Sequence, residues 1–550
     1  MSKKRTGPSR AAKAKRDKSR PKWNWILVAL ILLFIALIRI RLLEFPLERD
    51  EGEYAYAGQL ILQGVPPYQL AYNMKLPGTY AAYAVILALF GQTRTAIHWG
   101  LLLVNAATIV LVYLLGARLF GRVAGVAACA SYALLSASQS VLGFAGHATH
   151  FVVLPALAGL LLLLKGVESE RVWNFFWSGL LVGAAFIMKQ PGVVFMLFAG
   201  LFFLYTEWRR SPFGWRGLLA RGSALMLGAV LPFAITCLVL YQSGVFARFW
   251  FWTFSYGREY ASRLSLADGF RVFLKNAPEV IGPSLWIWLL AAAGITAFGW
   301  RSDVRIHAPF VIGLFLFSFL GVCPGFYFRQ HYFILMLPAA ALLAGLAVSA
   351  AREHLAQRPA LVSWRAAPAV LFLAVLGYTV LEQKELFFQL DPRTACRLTY
   401  GANPFPESLE IAKYLKDHST ANAQIAVIGS EPQIYFYSGR RSATGYIYTY
   451  GLMEEQRYAL RMQKEMIAEI EQSRPEYLVF VDISASWLAR PDSEKLIFTW
   501  LEQYTRSQYD LDGVIDILDM DRTEYRWGDE ARNYQLRSQA GLQVFKRKTL

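Results

Sequence analysis

The pattern of hydrophobic and polar positions divides the 550-residue chain into a long apolar part and a shorter mixed part. A helix needs roughly 17 to 25 apolar residues to cross a bilayer, and helices satisfy the backbone there. By that measure eleven runs predict membrane-spanning helices, and several of them are at the short end. They lie near 24–43, 95–117, 123–142, 150–165, 172–188, 191–206, 222–242, 279–299, 306–322, 331–350 and 364–382.

The apolar stretch "PGTYAAYAVILALFG", residues 77 to 91, is shorter than a typical membrane-spanning helix, and its placement decides the topology. If it lies on the membrane surface, the short loops on the side of the amino terminus carry most of the Lys and Arg. If it spans, those loops face outward, against the excess of positive charge expected in cytoplasmic loops. We therefore predict a helix along the outer surface. The amino terminus is then cytoplasmic, and everything after residue 383 is outside.

After residue 385 the pattern changes to short apolar runs separated by helical spacing. "QIAVIGS" (424–430) and "PEYLVFVD" (475–482) read as strands, and residues 407–418 and 452–472 as helices. The predicted fold class is a polytopic α-helical membrane protein of about eleven transmembrane helices with a carboxy-terminal extracytoplasmic α/β domain. The predicted units are a basic cytoplasmic tail (1–22), a transmembrane domain (23–385) and the α/β domain (386–550).

Composition supports a membrane protein and argues against nucleic-acid binding. Hydrophobic residues make up 55% of the chain, and the mean hydropathy is +0.33. Much of the net charge of +17 lies in residues 1–22, where it is expected to orient the first helix and contact anionic lipid. The four cysteines are scattered, so neither a disulfide framework nor a zinc site is predicted.

Polar side chains gather in the predicted outer loops. In "FPLERDEGEYAYAGQLILQGVPPY", residues 45 to 68, Asp50 and Glu51 open an amphipathic pattern. It predicts a helix lying flat on the membrane, with both carboxylates at the lipid boundary. The same predicted outer loop, residues 44–94, contains Lys75, and the other outer loops contribute His147, His150, Arg258, Arg329 and His331.

These residue types suggest a particular chemistry. Lys and Arg at a membrane surface suit an anionic headgroup such as a polyprenyl phosphate or diphosphate. A carboxylate beside them could remove the proton of an acceptor while the cations offset the charge of a departing lipid phosphate. His147 and His150 could bind a metal, assist the base or contact acceptor, and could equally be a polar helix start.

Several segments, in order, resemble the type C glycosyltransferases of family 39. These include the protein O-mannosyltransferases and the bacterial transferases that add aminoarabinose to lipid A. The segments are "RDEGEYAYAGQLILQG", "NMKLPGTYAAY", "LFGQTRTAIHWGLLL", "FIMKQPG" and "RQHYFILMLPAAALLAG", and the resemblance covers about residues 25 to 350. The family often has Lys-Pro-Pro where this chain has Lys75-Leu76-Pro77. The aminoarabinose enzymes carry an aspartate at the apparent counterpart of Thr149.

The resemblance implies an inverting glycosyltransferase, with residues 23–385 as its glycosyltransferase domain. Asp50 would be the general base, and Glu51 would orient the acceptor or assist. Lys75 and Arg258 would contact the donor phosphate. His147, His150, Arg329 and His331 remain candidates for acceptor or metal contacts.

The implied enzyme moves a hexosyl or pentosyl group from a polyprenyl-phosphate donor to an acceptor glycan, lipid or protein. The reaction would take place at the outer face of the cytoplasmic membrane. A divalent cation could be required, and no nucleic-acid partner is expected. Two alternatives stay open: a multi-pass transporter or lipid-binding scaffold, and a glycan ligase or polymerase that uses a polyprenyl-diphosphate donor. A transporter is expected to carry ionisable residues near the bilayer midplane and internal repeats, whereas here the polar groups lie in loops.

Overall fold

Long apolar helices form most of the molecule up to residue 382 in the computed structural model, which describes residues 23–548. The predicted tail at 1–22 lies outside the described residues. The helices of this part are α1 Trp23–Arg41, α2 Arg49–Leu62, α3 Gly78–Phe90, α4 Arg94–Phe120, α5 Arg122–Leu135, α6 Ala148–Ser169, α7 Val172–Met188, α8 Val193–Trp208, α9 Trp215–Gln242, α10 Phe246–Trp250, α11 Gly257–Ala261, α12 Leu266–Ile281, α13 Leu285–Trp300, α14 Ser302–Arg305, α15 Ala308–Val322, α16 Leu337–Gln357 and α17 Ala367–Glu382.

Eight helical segments within residues 23–548 are long and apolar enough to cross a membrane. Four further apolar helices are shorter, and three of them (α5, α7 and α15) coincide with predicted spans. Each of the eleven predicted runs therefore contains a helix, and the polytopic helical fold class is confirmed. The fourth short helix, α3, occupies the stretch 77–91, and its position along the outer surface stays a prediction.

Helix α16 lies at the centre of the membrane part because small residues let its neighbours approach closely. Its segment Gln330–Gln357 begins with a 3₁₀ turn, and 94% of the residues in the apolar 18-residue window of that segment are buried. A Cβ added at Gly345 would lie 2.3 Å from the carbonyl oxygen of Ala124 on α5. By contrast, only 11% of the residues are buried in the corresponding window of the segment Pro359–Glu382, which contains α17.

The carboxy-terminal part is a mixed sheet with helices, as the sequence predicts. The strands are β1 Gln424–Ile428, β2 Arg441–Ser442, β3 Tyr477–Asp482, β4 Tyr509–Ile517, β5 Thr523–Trp527 and β6 Gly541–Arg547, in the order β2-β1-β3-β6-β4-β5. The first three are parallel, and β6, β4 and β5 are joined antiparallel. The helices are α18 Pro392–Tyr400, α19 Glu407–His418, α20 Gln433–Ser438, α21 Tyr450–Met453, α22 Ala459–Ser473, α23 Ser484–Trp487, α24 Leu496–Gln508 and α25 Asp529–Arg532.

Helix α2 joins the membrane part to the sheet, which corrects the expectation that it lies flat on lipid. All residues from Arg49 to Leu60 are buried. Gly52 lies against α20, where an added Cβ would be 2.6 Å from the backbone nitrogen of Gln433. Side chains of α2 and α3 share one hydrophobic core with β1 and β3. The charges of α2 are therefore held inside protein, where their partners are fixed.

Candidate active site

The first turn of α2 is fixed by a reciprocal cap. The Glu48 carboxylate accepts a hydrogen bond from the Glu51 backbone N–H at 2.9 Å, and Glu51 accepts one from the Glu48 N–H at 3.4 Å. This capping box satisfies backbone donors that a helix start leaves free. Arg49 anchors the same turn to the carboxy-terminal part through Glu431 at 2.7 Å and the Ser430 carbonyl at 2.6 Å. Asp50 is thereby held in one orientation.

The two oxygens of the Asp50 carboxylate have different surroundings. Oδ1 accepts from Lys75 Nζ at 2.7 Å and from the Tyr448 hydroxyl at 3.3 Å. Oδ2 faces His147 Nδ1 at 3.9 Å and His331 Nε2 at 4.0 Å. Burial by itself would raise the pKa of Asp50, but the charge of Lys75, with smaller contributions from the histidines, holds that pKa well below 3.8. Asp50 is therefore a carboxylate at neutral pH, with Oδ2 free of short hydrogen bonds among the described residues.

Lys75 is held by a second carboxylate as well. Its Nζ lies 2.6 Å from Glu53 Oε2, and the Glu53 side chain is 1% exposed. Glu53 also accepts hydrogen bonds from Asn73 at 2.8 Å and from the Tyr80 hydroxyl. The ammonium group of Lys75 is thus fixed beside Asp50 by residues of α2 and of the segment that follows it.

Glu51 has a different environment from its neighbour. Its side chain is fully buried, accepts a hydrogen bond from the Gly146 backbone N–H at 2.5 Å and lies 3.3 Å from His98 Nε2. Two cavities border Asp50, and Glu51 lines neither of them. Glu51 therefore ties α2 to the segment between α5 and α6.

Two cavities of different character meet at Asp50. The aromatic cavity, about 240 Å³, is lined mainly by apolar and aromatic side chains, among them Trp252, Tyr256, Tyr260, Tyr332, Tyr446 and Met462. The polar cavity, about 330 Å³, is lined by Glu48, Arg49, Asn276, Glu279, Gln330 and Asn403. Both linings also include Asp50, Arg329, His331, Tyr448 and Tyr450. A group in either cavity can therefore approach Asp50.

Two cations beside Asp50 lack acidic partners. Lys189 and Arg329 line the aromatic cavity, and no carboxylate oxygen of the described residues lies within 4.0 Å of either side-chain charge. Lys189 Nζ instead lies 4.3 Å from the centre of the Tyr332 ring. Burial, with the charges of Lys75 and Arg329, lowers the pKa of Lys189 to about 7. An anion placed here would relieve this repulsion.

Three potential metal ligands lie together, although their orientation does not suit a shared ion. Ligand atoms of Asp50, His147 and His331 are all within 4.8 Å of one another. The two imidazole rings, however, are stacked with centroids 4.1 Å apart and an angle of 9° between their planes. Because the lone pairs of imidazole lie in the ring plane, nearly parallel stacked rings do not aim at one point. A common metal ion would require one ring to rotate.

Comparison with known proteins adds a family-level match over part of the chain. A family model described as dolichyl-phosphate-mannose-protein mannosyltransferase matches residues 75–236. An undecaprenyl phosphate-alpha-4-amino-4-deoxy-L-arabinose arabinosyl transferase of Pseudomonas aeruginosa is 28% identical over 246 residues. The Pseudomonas paraeruginosa transferase of the same description has the same identity and length of match. Each alignment covers 42% of this chain and 43% of the relative, less than half of its length.

Two solved structures extend the likeness over almost the whole chain. ArnT from Cupriavidus metallidurans, bound to undecaprenyl phosphate, has a TM-score of 0.60 at 17% identity and covers 95% of this chain and 98% of its own. The archaeal oligosaccharyltransferase AglB from Archaeoglobus fulgidus, in complex with an inhibitory peptide and a dolichol-phosphate, has a TM-score of 0.53 at 12% identity. It covers 94% of this chain and 75% of its own. The chain has the type C glycosyltransferase fold.

Within this glycosyltransferase fold, only some of the site residues that the sequence predicts line the two cavities. Asp50, Lys75, His147, Arg329 and His331 all line the cavities that meet at Asp50. His150 is buried one helical turn further into α6 and is absent from both linings. Arg258 is exposed on α11, and its neighbours Gly257 and Tyr260, rather than Arg258, line the aromatic cavity. The roles of His150 and Arg258 stay predictions.

Sequence reasoning left several cavity residues of the glycosyltransferase fold unassigned. Lys189 lies in an extended break between α7 and α8. The next residue, Gln190, donates a hydrogen bond to the Met74 carbonyl at 2.6 Å. Tyr448 and Tyr450 come from the carboxy-terminal part. The alternation in "YIYTY", residues 446 to 450, was the available signal, because alternate side chains of an extended segment share one face.

Proposed function

We propose that this protein is an inverting membrane glycosyltransferase that uses a polyprenyl-phosphate sugar as its donor. Asp50 would be the general base, acting on an acceptor at the outer face of the cytoplasmic membrane. The observation that carries the proposal is the position of Asp50 in the wall common to an aromatic cavity and a polar cavity. A displacement at a sugar carbon needs the donor and the acceptor on opposite sides of the reacting centre.

The aromatic cavity suits the donor. Lys75, Lys189 and Arg329 contribute positive charge to its lining, and rings such as Trp252 and Tyr260 supply apolar surface. Charge-assisted hydrogen bonds to phosphate are among the stronger polar interactions in proteins. The ArnT and AglB structures of similar fold contain undecaprenyl phosphate and dolichol-phosphate respectively, which supports this choice of donor class.

The proposed reaction is one displacement. Oδ2 of Asp50 accepts the proton of the acceptor while the acceptor atom forms a bond to the anomeric carbon of the donor. The bond between that carbon and the phosphate oxygen breaks, and its electron pair leaves with the lipid phosphate. Because attack and departure occur on opposite faces, the anomeric configuration inverts. Lys75, Lys189 and Arg329 stabilise the negative charge that grows on the phosphate.

The polar cavity suits the acceptor. Its carboxylate and amide groups, including Glu279, Gln330 and Asn403, offer hydrogen bonds to a hydroxyl-rich or amine-bearing molecule. Tyr448 and Tyr450 border both cavities, so the carboxy-terminal part, proposed as an extracytoplasmic domain of residues 386–550, would help to shape the site. Glu51 would support catalysis by positioning, because it holds the segment between α5 and α6 against α2.

The decisive experiment incubates the purified protein with a panel of polyprenyl-phosphate sugars and candidate acceptors. Mass spectrometry would follow consumption of the donor and identify the product. We expect one monophosphate-linked sugar to be consumed, with free polyprenyl phosphate released. If only diphosphate-linked glycans react, the ligase alternative replaces this proposal. If a substrate crosses proteoliposome membranes unchanged in mass, the protein is a transporter instead.

A further inference from the structure

A deep apolar groove opens on the lipid-facing side of the membrane part. It lies between α1 and α17, which both pack against α5, and has a volume of about 740 Å³. None of its lining residues belongs to the aromatic or the polar cavity. The groove is therefore separate from the proposed reaction.

The groove is built from small residues below and long apolar residues on both sides. Ala127 and Ala130 of α5 form its floor together with Val348 of α16. Leu30 of α1 and Leu373 of α17 stand at its edges and are 54% and 65% exposed. Such a slot leaves a large apolar surface without a protein neighbour in the described chain.

The dimensions of the groove fit a lipid chain. It extends from Trp23 to Ile35 along α1 and from Ala366 to Val380 along α17. At 1.5 Å per helical residue these lengths are roughly 18 and 21 Å. They exceed the depth of one leaflet, which is about 15 Å of hydrocarbon.

One end of the groove carries a positive charge. Arg352 is the one charged residue among the lining residues described, and it is exposed. No carboxylate oxygen of residues 23–548 lies within 4.0 Å of its guanidinium group. Trp23 and Val123 line the groove near the same end, where α1 and α5 begin. An aromatic ring and an arginine at a helix end are typical of the membrane interface.

We propose that this groove binds an anionic phospholipid. One acyl chain lies in the slot between α1 and α17, and the phosphate group lies against Arg352. The lipid fills the space beside α17, where only 11% of the residues in the apolar 18-residue window are buried by protein, and thereby holds that helix against α5. This binding is independent of donor, acceptor and turnover.

Gly377→Phe tests the slot. An added Cβ at Gly377, which lines the groove, would meet no heavy atom of the described residues within 4 Å, so the ring can occupy the groove. Gly200→Phe is the matched control, because Gly200 is on membrane helix α8, has equally open surroundings among the described residues and lies outside the groove. Native mass spectrometry of both variants would be run with added phosphatidylglycerol and, separately, phosphatidylethanolamine. We expect one retained phosphatidylglycerol in wild type and Gly200→Phe, and none in Gly377→Phe.

Arg352→Ala tests the headgroup contact without filling the slot. We expect the preference of this variant for phosphatidylglycerol over phosphatidylethanolamine to fall about fivefold. Arg358→Ala, which removes an exposed arginine outside the groove, should keep that preference. Equal lipid retention in Gly377→Phe and Gly200→Phe overturns the proposal. So does a wild-type dimer that Gly377→Phe dissociates, because the occupant would then be a second copy of the chain.

Discussion

The aromatic cavity and the polar cavity share Asp50 but differ in the side chains that surround it. The first places Lys189 among tyrosine and tryptophan rings. The second surrounds the same carboxylate with glutamate, asparagine and glutamine side chains. The difference teaches that separate chain segments can give two sides of one carboxylate different surroundings, as the proposed donor and acceptor sites require. Variants on each side should therefore have separable effects.

The largest effect is expected at the residue that both cavities share. Asp50→Asn should lower transfer roughly 10²- to 10⁴-fold, because the amide cannot accept the acceptor proton. The variant should still fold, since Lys75 keeps its contact with Glu53 at 2.6 Å. Turnover would be measured with saturating donor, and size-exclusion chromatography would check folding. Near-normal turnover would show that Asp50 is not the base.

The next largest effect is expected from Lys75→Met, which should weaken donor binding. Loss of a charge-assisted contact is expected to weaken donor binding about 10- to 100-fold. Donor affinity would be measured by titration with polyprenyl phosphate, and Lys413→Met, at an exposed lysine of α19, is the control. Unchanged donor affinity in Lys75→Met would remove Lys75 from the phosphate site.

The lowered pKa of Lys189 predicts a pH dependence confined to the donor. With a pKa of about 7, Lys189 is charged below neutral pH and loses its proton above it. Donor KM should therefore rise between pH 7 and 9, while Asp50, whose pKa lies well below 3.8, stays ionised throughout. Lys189→Arg should keep its charge and show a flatter profile. A wild-type profile in that variant would assign the pH dependence to another group.

The smallest effects on turnover are expected at residues that line only one of the two cavities. Tyr260→Ala, in the aromatic cavity, should raise donor KM a few-fold, since stacking contacts are worth about 1 kcal/mol. Gln330→Ala, in the polar cavity, should raise acceptor KM by a similar factor through the loss of one hydrogen bond. Steady-state kinetics with each substrate varied separately would test both variants. If each variant changed both KM values equally, the division between donor and acceptor sides would be wrong.

Local pattern was sufficient for the helices and for part of the site. Membrane spans follow from the lengths of apolar runs, and the strands at 424–428 and 477–482 lie inside the predicted segments. The helix predicted at 452–472 begins only at Ala459, because Tyr450–Met453 forms a separate turn. The predicted outer loops also identified Asp50, Lys75, His147 and His331, which the fold brings together.

By itself, the sequence determined which segments form long apolar helices and which polar residue types lie in the loops between them, because both depend on local hydrophobicity and charge. Only the tertiary structure decided that Asp50 faces the cavities while Glu51 is buried against Gly146. Neighbouring residues of a helix point about 100° apart, so packing selects one of them for the site. Tertiary structure also brought Tyr448 to Asp50 across 398 positions of sequence. No local pattern carries a contact of that range, because the burial of α2 against the sheet creates it.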